Sequence, residues 1–167
     1  MTLNDLGKRE QLVKQSKIGD WSESKPSNRG GIHTIDNTFF DPDRIGQEAL
    51  KYTNEFRAQQ GLPPLKWSQP IANIGKQHSK DMGDGKVPFG HDGFDARVQQ
   101  YPIPSSSAAE NVAWNAGTSE VAKVAVDGWI KSPGHRKNLL ANHNFCGIGV
   151  YKNASGRFYL TQLFALA

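Results

Sequence analysis

At 167 residues the chain has the length of a single domain and enough material to bury a core without staples. Its 37% hydrophobic and 22% charged residues, with 17 glycines and 9 prolines, describe a globular, loop-rich chain and exclude a fibrous or fully disordered one. The net charge of +4 is dispersed along the sequence instead of forming a basic stripe with aromatic platforms, which argues against nucleic acid as a partner and leaves room for a weak attraction to anionic surfaces.

Cys146 is the single cysteine, so an intrachain disulfide is impossible. No stretch approaches the roughly 18 to 20 apolar residues of a membrane span. Met1 to Lys17 are polar and charged, and no signal peptide is recognisable in them.

Residues 1–40 read as an N-terminal extension and residues 41–167 as the folded domain. In the extension Trp21, Ile32, Ile35, Phe39 and Phe40 stand scattered among polar residues, which fits either an arm held to the domain by aromatic anchors or a flexible leader. Asp43 is placed to cap a helix in which Ile45, Ala49, Tyr52 and Phe56 recur at three- and four-residue steps until Gly61 stops it. Ser68 is placed to cap a second helix with Ile71, Ile74, His78 and Met82 on its inner face, and His78 reads as a core or flanking histidine.

His91 follows, set between Gly90 and Gly93, a setting of tight turns commoner at sites than in cores. Asp95 is expected to cap a short helix containing Val98. The run Glu110-Asn111-Val112-Ala113-Trp114 is too short for periodicity to choose between strand and helix. Ser119 is expected to cap a helix that turns Val121, Val124, Ala125 and Trp129 inward.

Ser132-Pro133 then opens a helix that places His135 near its third position, where the positive field of a helix start favours a neutral imidazole. Arg136 and Lys137, unfavourable at a helix start, suggest an anionic partner. After this helix the period changes. Cys146, Ile148 and Val150 alternate, Asn153-Ala154-Ser155-Gly156 forms a turn that also matches the glycosylation acceptor pattern, and Phe158, Leu160, Gln162 and Phe164 alternate again. The second arm is apolar on both faces, which predicts a central strand covered by helices on both sides, with Cys146 in the core.

His91, His135 and Glu110 are the candidate site residues, because two imidazoles and a carboxylate suit a borderline-soft divalent metal such as zinc. They are far apart in sequence, without the helical spacing of a metalloprotease motif. A phosphate loop, a nucleophile elbow and a Cys-x-x-Cys pair are all absent.

From about Ile45 to Phe164 the sequence resembles the CAP superfamily of cysteine-rich secretory, antigen 5 and pathogenesis-related class 1 proteins. The matching pieces are Asn54-Glu55-Phe56-Arg57 with Gly61-Leu62 and Leu65-Lys66-Trp67, the helix from Ala72 to His78, Phe89-Gly90-His91, Glu110-Asn111-Val112-Ala113-Trp114, and Trp129 with Ser132-Pro133-Gly134-His135-Arg136-Lys137-Asn138-Leu139-Leu140. Gly147-Ile148-Gly149-Val150 completes the set. Their order and spacing carry the resemblance, and the Ser-Pro-Gly-His form resembles the disulfide-free bacterial-type branch.

The resemblance implies an α+β fold, a three-layer α-β-α sandwich with a central, largely antiparallel sheet. It also implies a cleft where His91 and His135 converge, often with a divalent metal, and Glu110 as the first acidic residue. The second glutamate of many members would fall near Lys131-Ser132, where no acid stands. Extracellular location is implied, as is a binding role toward peptide, glycan or lipid. Three alternatives stay open: metal-assisted hydrolysis using His91, His135 and Glu110, carriage of a sterol or fatty acid, and a structural self-associating domain.

Overall fold

A computed structural model describes residues 41–167, so the expectations for the N-terminal extension lie outside the described residues. Nine elements follow in order: α1 Pro42–Gln59, β1 Lys66–Trp67, α2 Gln69–Gly83, α3 Phe94–Gln99, β2 Ser107–Asn115, α4 Val121–Lys131, α5 Pro133–Leu140, β3 Phe145–Lys152 and β4 Phe158–Leu166.

Asp41, not Asp43, caps α1. Its carboxylate accepts from the backbone N–H groups of Asp43 and Arg44, because Pro42 takes the first helical position and the cap falls two residues upstream of Asp43. Gly61, at φ 73°, follows the end of this helix. Ser68 caps α2 as expected, accepting from Ile71 N–H at 3.4 Å. Helix α3 starts from Gly93 in the left-handed region, and Asp95 lies inside its first turn instead of capping it.

Glu120, without a side-chain capping bond, precedes α4 where Ser119 was expected. The buried stripe of α4 runs through Val121, Ala122, Ala125, Val126 and Trp129, which turns Val124 outward to 41% exposure. The stretch that periodicity could not decide is the strand β2.

The sheet order is β1-β3-β4-β2, with β1 parallel to β3 and the other pairs antiparallel. Strand β4 is therefore central, and its buried faces explain the unbroken apolar run. Helices α1 and α4 cover one face, packing Ala49, Val126 and Trp129 with Cys146, Ile148, Val150, Leu160 and Phe164. The other face carries α2 and α3, with Ile71, Phe94 and Tyr101 against Leu163 and Ala165, and Met82 against Val112 and Tyr159. This is the α-β-α sandwich that the resemblance implied.

Backbone meets backbone where α2 crosses β3. A Cβ on Gly149 would sit 1.8 Å from Lys76 N, and one on Gly147 would sit 2.2 Å from Ala72 N. Only hydrogen fits there. Ser79, on the same helix, donates from Oγ to Gly149 O at 2.9 Å and so ties the crossing together.

Cys146 is fully buried, and burial pushes its thiol up to about 12, so it behaves as core and not as a nucleophile. The Asn153 side chain organises the turn: Oδ1 accepts from Ser155 N–H, Ser155 Oγ–H and Arg157 N–H, while Nδ2 donates to Gly83 O. These bonds fix the turn that the sequence predicts between the two strands.

Two outcomes are expected of this packing. Gly149→Ala lowers the unfolding free energy by about 3 kcal/mol or more, since the clash is with backbone, read as a lower urea midpoint. The second concerns His143, buried against Phe164 with ring centroids 5.3 Å apart, where burial and then Arg57 push its imidazole down to about 4. The unfolded ring takes a proton near pH ~6.5, so between there and about pH 4 the unfolded chain binds the extra proton and stability falls as pH falls. Thermal melts across that range should show this decline, and His143→Phe should make it shallower.

Candidate functional site

Helices α2 and α3, the loop before α3, strand β2 and helix α5 bring the candidate residues together at β2, the edge strand beside β4. Consecutive residues of a strand point to opposite faces of the sheet. Glu110 accordingly faces the α2/α3 layer, where it meets Arg97 and His91, whereas Asn111 faces the α1/α4 layer.

Arg97 was not singled out by the sequence, and it is the most connected residue of the site. All five of its N–H donors are used. Nε donates to Glu110 Oε2 at 2.7 Å, and NH2 donates to Glu110 Oε1 at 2.9 Å and to His91 O at 3.2 Å. NH1 donates to Asp92 O at 2.8 Å and to His78 Nδ1 at 3.2 Å. One guanidinium thus holds a strand carboxylate, the His91 loop and a helix histidine at once.

His78 completes that cluster. Its Nδ1 accepts from Arg97, which leaves Nε2–H to donate to Gly90 O at 2.7 Å. Burial first, and the Arg97 charge second, lower its pKa and keep it neutral. The expectation of a flanking histidine holds, with a definite task in supporting the loop before His91.

His91 Nδ1 lies 2.8 Å from Glu110 Oε1. A carboxylate only accepts, so His91 Nδ1–H is the donor in this bond. Glu110 therefore accepts three hydrogen bonds, two from Arg97 and one from His91, while its side chain is 1% exposed. Its geometry is that of a carboxylate orienting a histidine.

His135 sits at the third position of α5 as the sequence predicted. Its Nδ1 is 2.9 Å from Ser132 Oγ, so the serine read as a helix cap bonds the histidine instead of the helix N–H groups. Burial, and then the nearby His91, push the imidazole down to about 4. The residue is 4% exposed, and its Nε2 has no hydrogen-bond partner.

The three candidates occupy one region but in different roles. Among the described residues no group of three His, Cys, Asp or Glu side chains is arranged to hold a metal ion. Glu110 is engaged by Arg97 and His91, and of the three candidates His135 is the one with a buried ring nitrogen left without a hydrogen-bond partner. Arg136 does not serve the cleft: its guanidinium lies over the Phe56 ring of α1 at 5.1 Å. Asn111 and Asn138 also stand at the site, inside the motifs that carry the resemblance, yet no local pattern marks either of them.

A family model described as the cysteine-rich secretory protein family, CAP, matches residues 50–164. Two proteins of Bacillus subtilis (strain 168), the uncharacterized membrane protein YlbC and the uncharacterized protein YkwD, are each 34% identical to this chain, over 124 and 122 residues. Those alignments cover 71% and 70% of this chain but 33% and 45% of the two relatives. The crystal structure of an extracellular protein containing a SCP domain, from Bacillus anthracis, matches at 32% identity and a TM-score of 0.65, over 75% of this chain and 41% of that one. The chain thus spans less than half the length of each of these proteins.

The Arg97–Glu110 pair yields a prediction about stability. Arg97→Ala and Glu110→Ala should each cost about 3–5 kcal/mol, because each strands a buried charge. The double variant Arg97→Met/Glu110→Leu should be less destabilised than the sum of the singles. Urea denaturation of the four proteins checks both statements.

Proposed function

Because this chain belongs to the cysteine-rich secretory protein family, CAP, we propose that it is an extracellular binding module whose cleft at His91 and His135 receives a divalent cation, zinc being the natural probe. The observation that carries this reading is the Nε2 of His135, buried and without a partner beside His91. A buried polar atom left unbonded costs stability unless a water, ion or ligand completes it. Imidazole nitrogens suit zinc or a similar ion, with Glu110 and Ser132 as the outer groups that orient the two rings.

Such a cation would supply a Lewis-acidic point at which an oxygen of a peptide or glycan could be held. Two protein ligands make a weak, exchangeable site that water or the ligand completes.

Metal-assisted hydrolysis is the weaker reading. A general base needs an accepting lone pair aimed at the attacking water, but Glu110 already accepts from Arg97 twice and from His91. No acid stands at Lys131-Ser132 to replace it. Location outside the cell is supported by the Bacillus anthracis protein described as extracellular, and YlbC, named a membrane protein, is consistent with attachment at the cell envelope. No helix among the described residues is long and apolar enough to cross a membrane.

Calorimetric titration of zinc into metal-stripped protein near neutral pH tests the proposal. One zinc per chain is expected, lost in His91→Ala and in His135→Ala. Absence of binding in the wild type would sink it, and binding of labelled sterol or fatty acid that survives both substitutions would move the function to a lipid groove.

A further inference from the structure

We propose that Asn111 and Asn138 are positioning residues that set His135 against His91, so that one strand braces the two halves of the cleft from opposite sides of the sheet. The inference rests on the proposed role of the two histidines. It assigns to Asn111 and Asn138 a task in binding that is separate from stability.

The geometry begins with the amide of Asn138, which is 2% exposed. Its Nδ2 donates to Glu110 O at 3.2 Å and to Asn111 Oδ1 at 2.9 Å. Asn111, fully buried, donates from Nδ2 to His135 O at 3.3 Å and to Gln162 Oε1 at 3.1 Å. Gln162 Nε2 in turn donates to Thr53 Oγ1 on α1 at 3.0 Å. The chain of amides runs from α1 through β4 and β2 to α5, and its site end grips the backbone of both Glu110 and His135.

The neighbours Glu110 and Asn111 divide the work. The Glu110 side chain holds the His91 ring in the α2/α3 layer, and the Asn111 side chain holds the His135 backbone on the other side. Each hydrogen bond fixes a direction as well as a distance. Since strand residues are spaced at a fixed rise, the two anchors are locked relative to each other by covalent geometry. Hydrophobic contacts alone would allow α5 to slide along β2, whereas a buried amide pair accepts one register. Outer residues of this kind typically govern metal affinity by about 10- to 100-fold.

The experiment compares wild type, Asn138→Asp and Thr53→Val. Asn138→Asp removes the two donations of Asn138, to Glu110 O and to Asn111 Oδ1, while keeping shape. Thr53→Val removes a hydrogen bond at the far end of the same network and touches neither Glu110 nor His135, so it controls for a loss of stability alone. Two readouts are taken: zinc affinity by calorimetry, and the His135 ring resonances of the metal-free protein in a long-range 1H–15N spectrum.

The expected result is that Asn138→Asp weakens zinc about tenfold or more and moves the His135 resonances. Thr53→Val should lower the melting temperature yet leave zinc affinity and the ring resonances close to those of the wild type. Unchanged affinity and resonances in Asn138→Asp would overturn the proposal, and so would equal changes in Thr53→Val. If the wild type takes up no zinc, the metal reading fails separately and the ring resonances alone decide whether the asparagines position His135. Should Asn138→Asp not fold, Asn111→Ser removes the donor to His135 O without adding a charge and takes its place in the comparison.

Discussion

The guanidinium of Arg97 is the constraint on which the site depends. A buried ion pair is stabilising only when its remaining donors and acceptors are also satisfied, because desolvation otherwise outweighs attraction. Here every guanidinium N–H has an acceptor, two of them on Glu110 and three on His78, His91 and Asp92. Lysine could not replace it, since a single ammonium cannot span a carboxylate, two carbonyls and an imidazole in one plane. The loop that carries His91 is short of apolar anchors and is held instead by this fan of hydrogen bonds.

The helix that supplies His78 to this fan, α2, lies very close to the sheet. Gly147 and Gly149 remove the side chains that would hold α2 away from β3, and Ser79 bonds across the gap. From that crossing α2 presents His78 toward Arg97 and Met82 toward Val112. The core and the site are thus built by the same approach of helix to strand, so a residue that widened the crossing would act on both.

Strand β2 then joins the two layers. Its carbonyls at Glu110 and Val112 are bonded by side chains from outside the sheet, Asn138 Nδ2 and Trp129 Nε1. Strand edges with unpaired backbone groups invite foreign strands, and side chains from α4 and α5 blunt this one. The residues that protect the edge also bring α5 alongside it, with His135 on the side of the cleft. A fold of this kind serves many purposes. In this copy Ser132 Oγ lies 2.9 Å from His135 Nδ1, and no acid stands at Lys131-Ser132.

The amino-acid sequence by itself determined the helices α1 and α2, the β3–β4 hairpin with its central second arm, the burial of Cys146 and the arrival of His135 at the third position of α5. Each of these rests on signals within a few residues: stripe spacing, a capping serine, proline at a helix start, or strict alternation. The order of short motifs pointed to His91, Glu110 and His135 together, although nothing in their spacing could say what Glu110 does there. Tertiary structure alone decided that Glu110 holds His91, that Arg97 is the partner of both, that the Glu110–Trp114 stretch is a strand, and that Val124 faces outward. A six-residue helix has no period that could separate a buried arginine from a solvated one. Its partners stand 13 and 19 residues away, while Thr53 and Gln162 meet across 109. Such contacts follow from how the layers close on the sheet, a property of the whole chain that no local pattern contains.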